Sequence, residues 1–120
     1  MTKFLAIILT ILVCSCSKQE LPSISYTGNW KGTYSGQDNG TITINIDNAG
    51  TVTGTAYSIR YNESSQIAGS VSSTGTISAT TTGTLTSGTK FTGNCTVSNG
   101  SGTWNNTTVN MNGNWSVSKQ

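Results

Sequence analysis

Apolar and polar residues alternate along most of the chain after residue 27. In the clearest example, Ile42, Ile44 and Ile46 are separated by Thr43 and Asn45. A period of two places successive side chains on opposite faces, so the pattern is typical of an antiparallel strand with one buried face. Beyond the N-terminal segment, no window of ten residues carries the i, i+3, i+4, i+7 apolar pattern of an amphipathic helix. The sequence therefore predicts an all-β fold.

Turn-forming residues divide the alternating region into short segments. Asp38-Asn39-Gly40, Asn99-Gly100 and Asn112-Gly113 are combinations that favour tight turns between strands. The predicted strands are 28–36, 40–47, 51–59, 65–72, 75–81, 84–97 with an interruption near Gly88, 101–107 and 112–118. Short strands joined by short loops predict an antiparallel up-and-down meander of about eight strands that closes into a small barrel, with a β-sandwich as the alternative.

The alternation also indicates which side chains face the interior. This inward set includes all three Trp and consists of Trp30, Ile42, Ile44, Ile46, Val52, Ile67, Val71, Ile77, Leu85, Phe91, Cys95, Val97, Trp104, Val109, Met111, Trp115 and Val117. It is large enough for the core of a small barrel or sandwich, but not for the walls of a large cavity. The inward positions Gly32, Gly54, Gly69 and Gly93 either leave space for a ligand or let the Trp rings pack.

The first sixteen residues differ in composition from the rest of the chain. One positive charge at Lys3 precedes an apolar run from Phe4 to Val13 that only Thr10 interrupts. This is the layout of a secretory signal peptide. The run is shorter than the roughly 20 apolar residues that span a bilayer as a helix. The sequence therefore predicts an exported protein with a cleaved signal peptide.

The end of this segment, Leu12-Val13-Cys14-Ser15-Cys16, resembles the lipobox of bacterial lipoproteins. The resemblance implies that Cys16 is acylated and becomes the new N-terminus, with the aliphatic Val13 and the small Ser15 ahead of it. Acylation of Cys14 instead would place the β-branched Val13 at the cleavage position. Three acyl chains on Cys16 would make membrane anchoring essentially permanent.

These assignments divide the chain into a signal peptide (1–15), a lipidated Cys with a tether (16–27) and an all-β domain (28–120). Residues 17–20 loosely resemble the surface-export signal of Bacteroidetes lipoproteins. We therefore expect lipid anchoring to the bacterial outer membrane, on either its periplasmic or its cell-surface side. Cys95 remains as a lone thiol in register with Phe91, which predicts a small buried side chain.

A Gly-x-Trp triplet opens the all-β domain at Gly28-Asn29-Trp30 and is followed by a hairpin pattern through Thr55. This segment looks like the opening hairpin of calycins, the group that contains lipocalins and avidins. The resemblance implies an up-and-down barrel with the indole of Trp30 at one end. Gly32 and Gly36 stand where an avidin would carry hydrogen-bonding side chains, so biotin binding is not implied. Lipocalins also carry an Arg on the last strand that packs against this Trp. The corresponding strand here offers only Lys119, which is a departure from the lipocalin pattern.

Charge and composition exclude several classes of chemistry. The net charge of the 120 residues is +2 and the chain contains no His, so we expect no nucleic-acid partner, no histidine triad and no His-ligated zinc. The carboxylates Asp38, Asp47 and Glu63 are interpreted as turn formers and solvated charges. They are too sparse for paired-carboxylate catalysis or for a calcium loop. The sequence thus predicts a protein that is not an enzyme and holds no metal or cofactor.

The segment from Tyr57 to Gln66 is the least typical of a strand. It contains Tyr57, Arg60, Tyr61 and Glu63, which are our candidates for contact with a partner because Tyr and Arg are enriched in interfaces. If the alternation continues from the preceding strand, Arg60 points inward and Tyr57, Ile59 and Tyr61 form an exposed stripe. A β-bulge near Ala56 would bury the aromatic rings and expose Arg60 instead.

The leading hypothesis is a lipid-anchored protein whose small barrel is a non-catalytic binding or structural module. One alternative is a calycin-type carrier of a small hydrophobic ligand, and a cavity of a few hundred Å³ would distinguish it. Another is an inhibitor of a host or competitor enzyme, which would use an exposed loop that contains Tyr57, Arg60 and Tyr61. The partner would then be a protein or a small hydrophobic molecule, in addition to the membrane itself.

Overall fold

A computed structural model describes residues 25–82 and 88–120 as an antiparallel β-barrel. Its strands are β1 (Gly28–Gly36), β2 (Gly40–Ile46), β3 (Thr51–Ser58), β4 (Glu63–Val71), β5 (Thr76–Thr82), β6 (Lys90–Cys95), β7 (Asn99–Asn106) and β8 (Met111–Lys119). Each strand pairs with its neighbour along the chain, and β8 pairs with β1 to close the barrel. The all-β meander predicted from the alternation is confirmed, and it is a barrel rather than a sandwich.

The predicted strand boundaries agree with the structure to within one residue, except at the starts of the fourth and seventh strands and at both ends of the sixth. The seventh strand begins at Asn99, so the turns predicted at Asn99-Gly100 and Asn112-Gly113 are wrong: these pairs lie within β7 and β8. The fourth strand begins at Glu63 rather than at residue 65, which shortens the turn before it to residues 59–62. The long sixth strand predicted for 84–97 is β6, from Lys90 to Cys95. Residues 83–87, which include the predicted core residue Leu85, lie outside the described residues, as do Cys16 and the rest of the first 24 residues.

The interior is filled by the side chains that the alternation predicted, together with four others. The buried apolar residues are Tyr26, Trp30, Tyr34, Ile42, Ile44, Ile46, Val52, Ala56, Ile67, Val71, Ile77, Ala79, Phe91, Cys95, Trp104, Met111, Trp115 and Val117. The predictions for Val97 and Val109 are wrong, since these side chains are 56% and 39% exposed. Both residues lie in turns, where the two-residue period of a strand no longer applies.

Glycine at several inward positions allows the strands to curve tightly around the Trp rings. Gly93 on β6 pairs with Gly102 on β7, and a Cβ on Gly102 would lie 1.9 Å from the carbonyl oxygen of Thr92. On the next pair of strands, Gly113 faces Trp104, and a Cβ there would lie 2.6 Å from the indole nitrogen. These positions therefore serve close backbone approach and ring packing rather than an open interior.

Each buried indole also has a backbone hydrogen-bond acceptor. Trp30 Nε1 donates to the carbonyl oxygen of Tyr26 at 2.9 Å, and Trp104 Nε1 donates to that of Ser35 at 3.0 Å. Trp115 Nε1 is shared between two carbonyl oxygens, each at 3.1 Å. The polar edge of each large ring is thus satisfied inside the barrel, as burial requires.

The meander gives the barrel two different ends. At the first, which we call the proximal end, the chain enters at residue 25 and leaves at residue 120, beside the turns 47–50, 72–75 and 96–98. The turns 37–39, 59–62 and 107–110 lie at the opposite, distal end. The described residues contain no helix that is long and apolar enough to cross a membrane.

Candidate functional site

The candidate contact residues lie at the distal end of the barrel, at the end of β3 and in the turn that follows. The ladder between β3 and β4 is uninterrupted from Thr51 to Ser58, so there is no β-bulge at Ala56. Ala56 and Ser58 face inward, whereas Tyr57 and Ile59 face solvent with 38% and 60% of their surface exposed. Tyr57 is therefore exposed, as continued alternation without a β-bulge predicts.

The inward position that continued alternation gave for Arg60 is wrong, because β3 ends two residues earlier. The Arg60 side chain is exposed, and its Nη1 donates to the carbonyl oxygen of Gln37 at 2.9 Å. Its guanidinium carbon lies 5.7 Å from the centre of the Tyr61 ring, within the range of a cation–π contact. Arg60 thus joins the turn 59–62 to the turn 37–39.

Tyr61 is half-buried and leans across the mouth of the barrel. Its ring packs against the core, and its hydroxyl lies 3.8 Å from the sulfur of Met111 at the start of β8. The turn that carries it ends at Asn62, whose φ of 50° is the left-handed conformation that Asn tolerates. The exposed stripe expected from continued alternation therefore includes Tyr57 and Ile59 but only part of Tyr61.

Glu63 opens β4 opposite Ser58 and is half-buried. The four candidate contact residues thus lie within one hairpin, with Tyr57 and Arg60 exposed and with Tyr61 and Glu63 half-buried. We call the surface formed by Tyr57, Ile59, Arg60, Tyr61 and Glu63 the distal rim. Its exposed members form the candidate contact surface, and Tyr61 packs against the core while its N–H donates to Ser58 Oγ.

A buried polar cluster beneath the distal rim was not expected from the sequence. Asp38 is only 5% exposed, so its interpretation as a solvated charge is wrong. Its carboxylate accepts hydrogen bonds from the Tyr34 hydroxyl at 3.1 Å, the Ser58 hydroxyl at 2.9 and 3.0 Å, and the backbone N–H of Asn39 at 2.8 Å. Ser58 Oγ in turn accepts from the N–H of Tyr61 at 3.1 Å. The sequence signal for this cluster is that Tyr34 and Ser58 occupy inward positions of their strands.

The same cluster perturbs Tyr34. Burial of the phenol raises the pKa of Tyr34 far above its ordinary value, and the nearby Asp38 carboxylate raises it further. Burial likewise raises the pKa of the Cys95 thiol. A phenol and a thiol that hold their protons are poor nucleophiles, and the polar cluster is best understood as a structural connection between turns.

Exposed apolar side chains are concentrated at the distal end. Among the described residues, the large exposed apolar side chains are Tyr57, Ile59, Val97 and Val109. Three of these four lie at the distal end, and Val97 alone lies at the proximal end. Contiguous exposed apolar patches mark interaction sites, and Tyr57 and Ile59 at the end of β3 are the neighbouring pair among these residues.

The enclosed spaces are small. A cavity of about 20 Å³ lies among residues such as Ile42, Phe91 and Trp115, and one of about 10 Å³ lies below the distal rim beside Tyr34 and Trp104. Each holds about one water molecule, whereas small-molecule pockets occupy roughly 300 Å³ or more. Two larger depressions are open to solvent: one of about 390 Å³ at the proximal end, between the segment 25–27 and the turns 47–50 and 72–75, and one of about 480 Å³ on the outer face of β1, β6, β7 and β8. No three His, Cys, Asp or Glu side chains within 25–82 and 88–120 are grouped so that they could hold a metal ion.

Comparison with known proteins gives no relative from which a function could be inferred. No protein-family model, no curated protein and no solved structure matches the chain. The closed eight-stranded antiparallel barrel is consistent with the calycin-like barrel that the Gly-x-Trp hairpin indicated. The function must therefore be inferred from the geometry of the two ends of the barrel.

Proposed function

We propose that the chain is the precursor of an exported lipoprotein that presents a non-catalytic β-barrel as a binding module. In this proposal, acylated Cys16 anchors the protein to the bacterial outer membrane, on the periplasmic or the cell-surface side. The support for anchoring is the lipobox-like sequence that ends at Cys16. The support for a binding module is the barrel and the distal rim at one of its ends.

The observation that carries the proposal is that the chain enters the barrel at the end opposite to the distal rim. Residue 25 enters the barrel at the proximal end, and Tyr57, Ile59 and Arg60 are exposed at the distal end. A barrel held to a membrane through its N-terminal tether would direct the distal rim away from the lipid surface. This orientation leaves the apolar and aromatic side chains of the rim accessible to a partner.

The small internal cavities favour a surface-binding module over a carrier. A calycin-type carrier needs an interior space of several hundred Å³ for a small hydrophobic ligand, and the cavities described above hold about one water molecule each. An inhibitor of a host or competitor enzyme would use the same distal rim. It is therefore a special case of the binding module rather than a separate arrangement.

Metabolic labelling tests the lipid anchor. Cells that express the full chain are grown with labelled palmitate, and incorporation is compared between Cys16→Ser and Cys14→Ser. We expect Cys16→Ser to accumulate as an unlabelled, uncleaved precursor, while Cys14→Ser is still labelled. Equal loss of label in both variants would show that the acylated cysteine is assigned wrongly.

Two matched substitutions test the distal rim. Ile59 and Val97 have almost the same exposure, 60% and 56%, but lie at opposite ends of the barrel. We expect Ile59→Asp to reduce capture of a partner from cell envelopes by about tenfold or more, because a charge then replaces an apolar contact. Val97→Asp should leave capture unchanged. An equal effect of both substitutions would contradict binding at the distal rim.

A further inference from the structure

The side chain of Tyr57 is both exposed and held in position. Its hydroxyl bonds to the side-chain oxygen of Asn62 in the turn that follows. Its backbone carbonyl oxygen accepts from the buried Tyr34 hydroxyl at 3.3 Å, and the N–H of Ile59 donates to the carbonyl oxygen of Asn39 at 2.9 Å. An aromatic ring that is already ordered before binding loses little conformational entropy when a ligand stacks on it.

The outer face around this ring is polar and uncharged. Tyr57 lies opposite Thr41 on β2 and opposite Ser64 on β4. The next outward residues are Thr33 on β1, which pairs with Thr41, and Thr55 and Gln66, which lie two positions from Tyr57 and Ser64 on β3 and β4. All three are exposed. Directly opposed residues on one face have their Cβ atoms about 5 Å apart. A ligand that covers the Tyr57 ring would therefore reach hydroxyl and amide groups on both sides.

These features match the chemistry of a pyranose sugar. One face of a pyranose ring presents C–H groups, which are attracted to the negative face of an aromatic ring. Its rim presents hydroxyl groups, for which Thr, Ser and Gln side chains provide both donors and acceptors. We propose that the outer face around Tyr57 binds a neutral glycan. This inference rests on the proposed function, because it names the ligand class for the part of the distal rim that includes Tyr57.

The charge and size of the surrounding side chains favour a glycan over other macromolecules. A polyanion such as a nucleic acid would need several cations, whereas the charged residues of the hairpin that carries Tyr57 are Arg60 and Glu63, which have opposite signs. Protein interfaces are depleted in Ser, and Ser and Thr are under-represented among the residues that dominate protein binding. Short hydroxyl side chains bury little area, but they are well suited to hydrogen-bond the hydroxyls of a sugar.

Surface plasmon resonance with the immobilised full-length chain in detergent tests this inference. Laminarin, mannan and dextran serve as neutral polysaccharides, and dextran sulfate serves as a charged control. We expect at least one neutral polysaccharide to bind, and we expect its affinity to differ little between about 50 mM and about 500 mM salt because no charges are paired. Binding of dextran sulfate alone, with loss at high salt, would overturn the inference in favour of unspecific attraction to the cationic residues.

Substitutions at Tyr57 locate the site. Tyr57→Ala should weaken binding by about tenfold, since it removes the stacking ring, whereas Tyr57→Phe should stay within about twofold. Thr51→Ala provides the matched control, because Thr51 is an outward residue of the same strand, six positions and about 20 Å away. Circular dichroism of each variant checks that the barrel is intact. Unchanged binding in Tyr57→Ala would contradict the proposed site.

Different experimental results would disprove the glycan inference and the proposed function. If none of the three neutral polysaccharides binds, the glycan inference is wrong. If a protein partner is nevertheless captured and Ile59→Asp alone prevents this, the distal rim is a protein-binding surface and the proposed function stands. If Ile59→Asp and Val97→Asp have equal effects as well, both proposals are wrong.

Discussion

A buried carboxylate connects three segments of the chain at the distal end. Asp38 lies in the turn 37–39 and accepts hydrogen bonds from Tyr34 on β1 and from Ser58 at the end of β3. Ser58 also accepts from the N–H of Tyr61 in the next turn. Because a buried charge is costly unless it is hydrogen-bonded, these bonds and the positions of the two turns depend on each other.

Asp38→Ala should lower the free energy of unfolding by about 3 kcal/mol, because the buried Ser58 hydroxyl then loses its carboxylate acceptor and the Tyr34 hydroxyl keeps only the carbonyl oxygen of Tyr57 at 3.3 Å. Asp47→Ala is the matched control. Asp47 is exposed, and its carboxylate accepts from the N–H groups of Ala49 and Thr51 at 2.9 Å, so its loss should cost about 1 kcal/mol or less. Urea denaturation measures both values. Equal decreases in the free energy of unfolding would show that the buried Asp38 contributes no more to stability than an exposed turn carboxylate.

The raised pKa of Tyr34 predicts a loss of stability in alkaline solution. Below the ordinary Tyr pKa of about 10, the phenol is protonated in both the folded and the unfolded state. Above it, the unfolded chain loses this proton while the folded barrel keeps it. The unfolded state then binds fewer protons, so the free energy of unfolding falls as the pH rises further.

Tyr34→Phe should therefore show a smaller decrease in the free energy of unfolding above about pH 10 than the wild-type chain does. The pKa of Cys95 is also raised and acts in the same direction, so the comparison is made with Cys95→Ala present in both proteins. Urea denaturation at a series of pH values gives the two slopes. Identical slopes would show that Tyr34 ionises equally easily in the folded and unfolded states.

At the scale of the strands, close approach between β6, β7 and β8 depends on glycine. Gly102 pairs with Gly93 on one side and with Trp115 on the other. A Cβ at this position would lie 2.6 Å from the Cα of Gly93, a distance that real Cβ contacts do not show. The strands would have to separate or bend differently to admit even a methyl group.

Gly102→Ala should thus destabilise the barrel by about 2 kcal/mol or more through overpacking. Ser101→Ala, at the exposed neighbouring position on the same strand, should change the free energy of unfolding by no more than about 0.5 kcal/mol. Thermal unfolding followed by circular dichroism compares the two variants. If Gly102→Ala were as stable as Ser101→Ala, the tight curvature of this wall would not depend on glycine.

The burial of side chains in the strands was predictable from the sequence, whereas the burial of side chains in the turns was not. Alternation correctly placed residues such as Ile44 inside because a pleated strand repeats every two residues wherever it is regular. Val97, Val109 and Arg60 lie beyond strand ends, where the chain turns and the period is lost. The burial of Asp38 depends on residues distant in sequence that only the closed barrel brings together, and local patterns carry no information on such contacts.

For the candidate site, alternation identified the outward direction of Tyr57 and Ile59 and nothing beyond it. The reach of Tyr61 across the barrel mouth follows from the tight turn that ends at the left-handed Asn62. The sequence offers Asn at this position, but many Asn residues in the chain have no such role. Ile59, the most exposed of the large apolar side chains described, was recognised only as part of a conditional stripe.

At the scale of the whole molecule, an even number of strands returns both ends of the described barrel, residues 25 and 120, to the proximal end. Lys119 pairs with Trp30, and the N–H of Gln120 donates to the carbonyl oxygen of Asn29 at 2.9 Å. Termini that lie side by side at the surface allow circular permutation without loss of the fold. In a circular permutant, the membrane anchor can therefore be attached at either end of the barrel while the strand pairing stays the same.

Two circular permutants test whether the orientation of the barrel matters for its function. In both, residues 120 and 25 are joined by a short Gly-Ser linker, and segment 1–24 is placed before the new first residue. One permutant opens between Ser73 and Thr74 in a proximal turn, and the other opens between Thr108 and Val109 in a distal turn. Both should fold, with melting temperatures within about 10 °C of each other, because each loses a single surface turn.

Partner capture should differ between them. The permutant opened between Ser73 and Thr74 keeps its anchor at the proximal end, so its distal rim still faces away from the membrane and it should capture the partner as the native chain does. The permutant opened between Thr108 and Val109 carries the anchor beside the distal rim, and we expect capture by intact cells or vesicles to fall by about tenfold or more, since the membrane then obstructs the site. Detergent extraction should restore its capture, because it removes the obstruction and leaves the rim intact. Equal capture by both permutants on membranes would show that the opposite placement of anchor and rim has no role in function.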